Sequence, residues 1–132
     1  MGGTLVTIDH IALYTLDIER LSDFYENYFY AIRINDYENK GTNVLKRFLQ
    51  FDGGIKLEII MIPGIAGDTS KRPHVGYGHI CISAGGRKGV DSVTARVFRE
   101  GYHVIGIPQV TENGCYESCI EDPDGNTVEV ME

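Results

Sequence analysis

Hydrophobic and polar residues alternate along the chain in two periods, and their order repeats once. Leu5–Tyr14 is rich in Val, Ile, Leu and Tyr and reads as a strand. From Asp17 to about Tyr28 the period changes. Ile18, Leu21, Tyr25 and Tyr28 fall at helical spacing, and Phe24 widens the stripe. Strand-like runs return at Ala31–Tyr37 and Val44–Phe51. A tight turn at Asp52-Gly53-Gly54 then leads into Ile55–Ile62. The order is β-α-β-β-β.

Residues 63–76 hold three Gly and two Pro with few apolar positions, and read as a linker. The order then recurs. Tyr77–Ser83 reads as a strand. Val90, Val93, Val97 and Phe98 mark a helix, with Gly101 placed to stop it. Tyr102–Ile107 reads as a strand ended by Pro108, and Cys115–Glu121 as the next. Asp122-Pro-Asp-Gly125 is a turn, and Thr127–Met131 is the last strand. The expected fold class is therefore α+β, with two βαβββ modules in one domain spanning 1–132: module one at 4–62, a linker at 63–76 and module two at 77–132. A repeat of about 70 residues outweighs any local signal.

The duplication matters because it repeats chemistry. His10 and Glu58 lie 48 positions apart, and His79 and Glu129 lie 50 apart. Each His opens an apolar strand, His10-Ile-Ala-Leu and His79-Ile-Cys-Ile. Each Glu sits inside one, between Leu57 and Ile59 or between Val128 and Val130. Side chains alternate across a sheet, so the aliphatic neighbours should pack under the helices and leave the four polar groups on the other face. A carboxylate there is costly unless paired or metal-bound. Two imidazoles and two carboxylates suit one divalent ion: Zn, Ni, Co, Mn or Fe. A lone His in a strand is more often structural, and a lone Glu between aliphatics usually marks a solvent face. The matched pairs carry the reading. His74 and His103 have no counterpart in the repeat and read as surface residues.

Composition narrows the classes. Net charge is −7, which argues against nucleic acid as a partner. No apolar run approaches the ~20 residues of a membrane-spanning helix, so no membrane partner is expected. The Met-Gly-Gly-Thr start lacks the features of a secretory signal and fits a myristoylation pattern poorly at Val6, so a cytoplasmic location is expected. Three cysteines, Cys81, Cys115 and Cys119, argue against a disulfide framework. Cys115 and Cys119, on one strand, would stand ~13 Å apart, too far for a disulfide or a shared zinc. They read as buried small apolar residues.

The segments Ile8-Asp-His10-Ile-Ala, Asp17-Ile-Glu-Arg-Leu-Ser-Asp-Phe-Tyr25, Gly78-His79-Ile and Glu121-Asp-Pro-Asp-Gly-Asn-Thr-Val-Glu129 resemble the vicinal oxygen chelate superfamily. That superfamily includes lactoylglutathione lyase (glyoxalase I), bleomycin-resistance proteins and extradiol dioxygenases. The resemblance covers nearly the whole chain. It implies paired modules whose mixed sheets curl around a metal cavity, commonly in a homodimer. It also implies a metal set of His10, Glu58, His79 and Glu129, as in the lyase branch. Related acyl-CoA epimerases have Gln in place of Glu58, and extradiol dioxygenases use two His and one Glu on iron. The implied activity is proton transfer within a hemithioacetal or similar α-hydroxycarbonyl, a small-molecule substrate, through an enediolate. Glu129 is the implied base, with Glu58 sharing the role. For a glutathione clamp, only Arg20, Arg33, Lys46 and Arg47 offer themselves, by charge alone. Two alternatives remain: a metal-dependent dioxygenase, or a non-catalytic binder of an aromatic drug whose cavity Tyr14, Tyr77, Tyr116 and Phe48 would line.

Overall fold

The computed structural model describes residues 7–67, 76–112 and 114–132. The expectations for Leu5, Val6 and His74 lie outside the described residues. The chain forms two compact units, Met1–Gly67 and Asp68–Glu132, each a βαβββ module.

The first unit contains β1 (His10–Tyr14), α1 (Ile18–Phe29), β2 (Ile32–Asn39), β3 (Val44–Gln50) and β4 (Lys56–Met61). Asp17 caps α1 by accepting a 3.0 Å hydrogen bond from the Arg20 N–H, which satisfies one of the orphan donors of the first turn. The apolar stripe of α1 buries Leu21, Phe24, Tyr25 and Tyr28. The helix lies on β4, where Leu57 and Ile59 are fully buried. Their neighbour Glu58 therefore points to the sheet's other face. The strand order is β1-β4-β3-β2, with β1 parallel to β4 and the other pairs antiparallel.

The second unit repeats this with β5 (His79–Ser83), α2 (Arg87–Arg99), β6 (Val104–Val110), β7 (Tyr116–Glu121) and β8 (Thr127–Met131). Its order is β5-β8-β7-β6, again with the first pair parallel. Gly101 follows the helix with φ +93°, the left-handed conformation that a glycine stop supplies. Gly125 takes φ +77° in the turn before β8. There the buried Asp122 carboxylate accepts hydrogen bonds from the Asp124 and Asn126 backbone N–H groups and from the Asn126 amide.

Three expectations need correction. Phe98 is 70% exposed and does not belong to the buried stripe of α2. Val90, Thr94 and Val97 form that stripe, and the Thr94 hydroxyl lies 2.6 Å from the Ser118 hydroxyl beneath it. Pro108 does not end its strand, because β6 runs on to Val110. As the outer strand it tolerates a missing N–H, and its register breaks between Gly106 and Gln109, around the proline. Cys115 and Cys119 are only half-buried.

Candidate metal centre

In the first unit the parallel pairing sets Ala12 opposite Glu58 and His10 opposite Lys56. His10 and Glu58 are thus diagonal neighbours on one face. The His10 Nε2 lies 3.1 Å from Glu58 Oε2. The Glu58 side chain is 12% exposed. Its second oxygen, Oε1, lies 3.7 Å from Lys46 Nζ on β3. The other side of the imidazole is also engaged. His10 Nδ1 donates to Asp9 Oδ2 at 2.9 Å, and Lys56 Nζ lies 3.3 Å from Asp9 Oδ1. The hydrogen bond from His10, and then Lys56, hold the Asp9 carboxyl below its ordinary range. Phe48, opposite Glu58 on β3, meets the His10 ring edge-to-face with centroids 5.4 Å apart.

The second unit reproduces the pair but not its surroundings. His79 Nε2 lies 3.2 Å from Glu129 Oε2, with the Glu129 side chain 29% exposed. Gly78 stands where the first unit has Asp9, and Thr127 where it has Lys56. Glu117 occupies the register position of Lys46, and Cys119 that of Phe48. Cys81 and Cys119 flank Glu129 on the adjoining strands. Burial, and next the Glu129 charge, push both thiols up from their ordinary value, so they are held protonated.

Imidazole and carboxylate are each ordinary ligands of a divalent cation. Two donors each about 2.1 Å from one ion stand about 3.0 Å apart at an octahedral right angle and about 3.4 Å apart at the tetrahedral angle, and the observed separations of 3.1 and 3.2 Å fall between. The same distances serve a hydrogen bond when no ion is bound. Each unit supplies only two such donors. Among the described residues, no group of three or more His, Cys, Asp and Glu side chains could hold a metal. The donor set expected from the sequence, His10, Glu58, His79 and Glu129, therefore comes as two pairs, one per module.

A cleft of about 560 Å³ opens beside Glu58 in the first unit. Phe48 and Tyr37 line it, with ring centroids 6.1 Å apart, together with Lys46, Val44 and Thr42. Its size falls in the range of small-molecule sites. Of the aromatic residues expected to line a cavity, Phe48 alone does so here. Tyr116 lies on the helix side of its sheet and donates to Asp91 at 2.5 Å, which raises its phenol. Tyr77 is 98% exposed. Of the four basic candidates for a substrate clamp, two are committed elsewhere. Arg33 is tied to Glu19, Asp23 and Glu26. Arg47 is buried among Glu19, Ser22 and Asp36. His103 is exposed, 3.2 Å from Glu121. Sequence reading missed Asp9, Lys56 and Tyr37. The one available signal was a charged residue before the first His and a glycine before the second.

Residues 7–130 match the sequence profile of the Glyoxalase/Bleomycin resistance protein/Dioxygenase superfamily. No curated protein matches the chain in sequence. Among solved structures, a glyoxylase/bleomycin resistance protein/dioxygenase domain from Frankia sp. EAN1pec is similar, with TM-score 0.82 and 16% identity over 97% of this chain and 98% of that one. A Glu-to-Gln mutant of a genomically encoded fosfomycin resistance protein from Listeria monocytogenes, complexed with Mn(II) and 1S,2S-dihydroxypropylphosphonic acid, has TM-score 0.71 and 19% identity over 97% and 93%. Glyoxalase I from Zea mays has TM-score 0.74 and 16% identity, covering 94% of this chain and 43% of its own. At these identities the likeness is one of fold.

Proposed function

The chain belongs to the Glyoxalase/Bleomycin resistance protein/Dioxygenase superfamily, and on that premise we propose that it is a metal-dependent lyase or isomerase of the glyoxalase I type. His10, Glu58, His79 and Glu129 would hold one divalent cation, of the series Zn, Ni, Co, Mn and Fe. The observation that carries this reading is the twofold one. The same two residue types occupy the same register positions of both modules, with N···O separations of 3.1 and 3.2 Å.

A bound cation supplies Lewis-acid stabilisation of the negative charge that develops on adjacent substrate oxygens. The protein's own groups do the rest. Glu129 accepts the proton from the carbon beside the carbonyl and returns it to the neighbouring carbon. Glu129 suits this part better than Glu58. It is the more exposed carboxylate, and among the described residues its one ionic partner is His79, so it is freer to move. Glu58 is held from both sides, by His10 and Lys46, and stays in place. The cleft on Phe48 and Tyr37 receives the body of the substrate.

The test is lactoylglutathione formation from methylglyoxal and glutathione, with the protein loaded in turn with Ni(II), Co(II), Zn(II) and Mn(II). Turnover with one or more of these supports the assignment. A protein that binds metal yet is inert with every one rejects that substrate. The aromatic cleft favours a second reading, a small-molecule binder without chemistry. Metal analysis of the purified protein separates the two, since a binder of that kind needs no stoichiometric metal.

A further inference from the structure

The two half-sites are unequal. In the first unit, five side chains form one line of contacts: Lys56 to Asp9, Asp9 to His10, His10 to Glu58, and Glu58 to Lys46. Each ligand side chain has a second polar partner: Asp9 on the other ring nitrogen of His10, and Lys46 on the other oxygen of Glu58. Asp9 fixes the rotation of the imidazole and directs Nε2 toward Glu58. Lys46 sits on the oxygen of Glu58 that His10 does not use. Among the described residues, nothing similar stands beside the second pair. Gly78 has no side chain to offer His79. The Lys56 and Lys46 positions are Thr127 and Glu117. Among the described residues His79 has no polar partner besides Glu129.

We propose that the first module is the preorganised anchor of the metal and the second its labile half, with Asp9 as the positioning residue that makes the difference. This rests on the four-residue metal set proposed above. The physical reason is general. A His ligand whose second ring nitrogen donates to a carboxylate is held in orientation and in tautomer, and loss of such a partner typically weakens metal binding by about 10–100-fold. An imidazole without one must be ordered by the metal itself. The labile half also contains Glu129, the carboxylate to which the proton transfer is assigned, so the asymmetry keeps the moving part separate from the holding part.

The experiment is a Co(II) titration, with a competing chelator and the visible absorption of the ion as readouts, on wild type, Asp9→Ala, Asp9→Asn, His10→Ala and His79→Ala. Asp9 is largely exposed, so its variants should keep the wild-type melting temperature. Asp9→Ala should lose about 10–100-fold in Co(II) affinity. Asp9→Asn, whose amide oxygen still accepts from Nδ1–H, should stay close to wild type. His10→Ala should lose more affinity than His79→Ala. In the Co(II) form, one paramagnetically shifted imidazole N–H signal should exchange slowly with water and vanish in Asp9→Ala. Wild-type affinity in Asp9→Ala, or a greater loss in His79→Ala than in His10→Ala, overturns the proposal while leaving the metal site standing. A wild-type protein that takes up no Co(II) overturns both.

Discussion

Lys46 Nζ stands 3.7 Å from Glu58 Oε1, and the matching position of the second module holds an acid, Glu117. A half-exposed ion pair of this kind contributes about 0–1 kcal/mol to stability, and Lys46 also lines the cleft proposed to receive the substrate. Lys46→Glu gives the first module the charge of the second. The variant should melt within a few degrees of wild type, while kcat/KM falls at least about tenfold, or about 1.4 kcal/mol of transition-state stabilisation. Steady-state kinetics and a thermal melt on one preparation check this. Loss of both together would make Lys46 a structural residue.

Glu58 and Glu129 should separate under the same conservative change. Glu129→Gln removes the carboxylate proposed as proton acceptor and should lower kcat by about 10²–10⁴-fold with the metal still bound. Glu58→Gln removes a charged donor from the anchored half and should lose more metal affinity than Glu129→Gln. Metal content by mass spectrometry beside single-turnover rates reads both. An active Glu129→Gln enzyme would move the base elsewhere.

The four-residue donor set proposed above takes one His–Glu pair from each module, of one chain or of two copies in a homodimer. Inactive His10→Ala and His79→Ala proteins, unfolded together and refolded as a mixture, distinguish these. Sites shared across a dimer regain activity, because half of the sites in each mixed dimer carry both wild-type pairs. Sites made within one chain regain none.

Arg47 holds the first module together from beneath. The residue is 5% exposed, and its guanidinium donates to Asp36 at 2.8 and 2.9 Å, to Glu19 at 2.9 Å and to the Ser22 hydroxyl at 3.2 Å. Its hydrogen bonds hold the Glu19 and Asp36 carboxyls below their ordinary values of 4.5 and 3.8. A folded value below the unfolded one contributes stability that is present above the unfolded value and lost as pH falls through the folded one. The unfolding free energy should therefore stay level in this respect above about pH 5 and fall as the pH drops below 4.5 and then 3.8. Arg47→Ala should cost about 2–4 kcal/mol, since it leaves a cavity as well as a broken network. Arg47→Met, which refills the space, should cost less and flatten the acid slope. Urea unfolding at pH 7, 4.5 and 3 measures both effects.

The sequence by itself determined the β-α-β-β-β order, its repetition and the face each polar group takes. Period and turn chemistry are local properties, and the alternation about Leu57–Glu58–Ile59 and Val128–Glu129–Val130 admits one inside and one outside. It also singled out the two His–Glu pairs, because duplication writes the same chemistry twice. Only the tertiary structure decided which residues stand behind them. Lys56 and Asp9 are 47 positions apart, and their meeting depends on β4 lying parallel beside β1. Lys46 meets Glu58 because β3 pairs with β4 in one register. The same pairing carries Arg47 under α1, where Asp36 and Glu19 make a charge tolerable on an apolar face. Pro108 stays within a strand because β6 is outermost, and Phe98 lies outside the core because it falls off the edge of the Val90–Thr94–Val97 stripe of α2. Strand order and register are long-range choices, settled by how whole faces pack, and no window of the chain contains them.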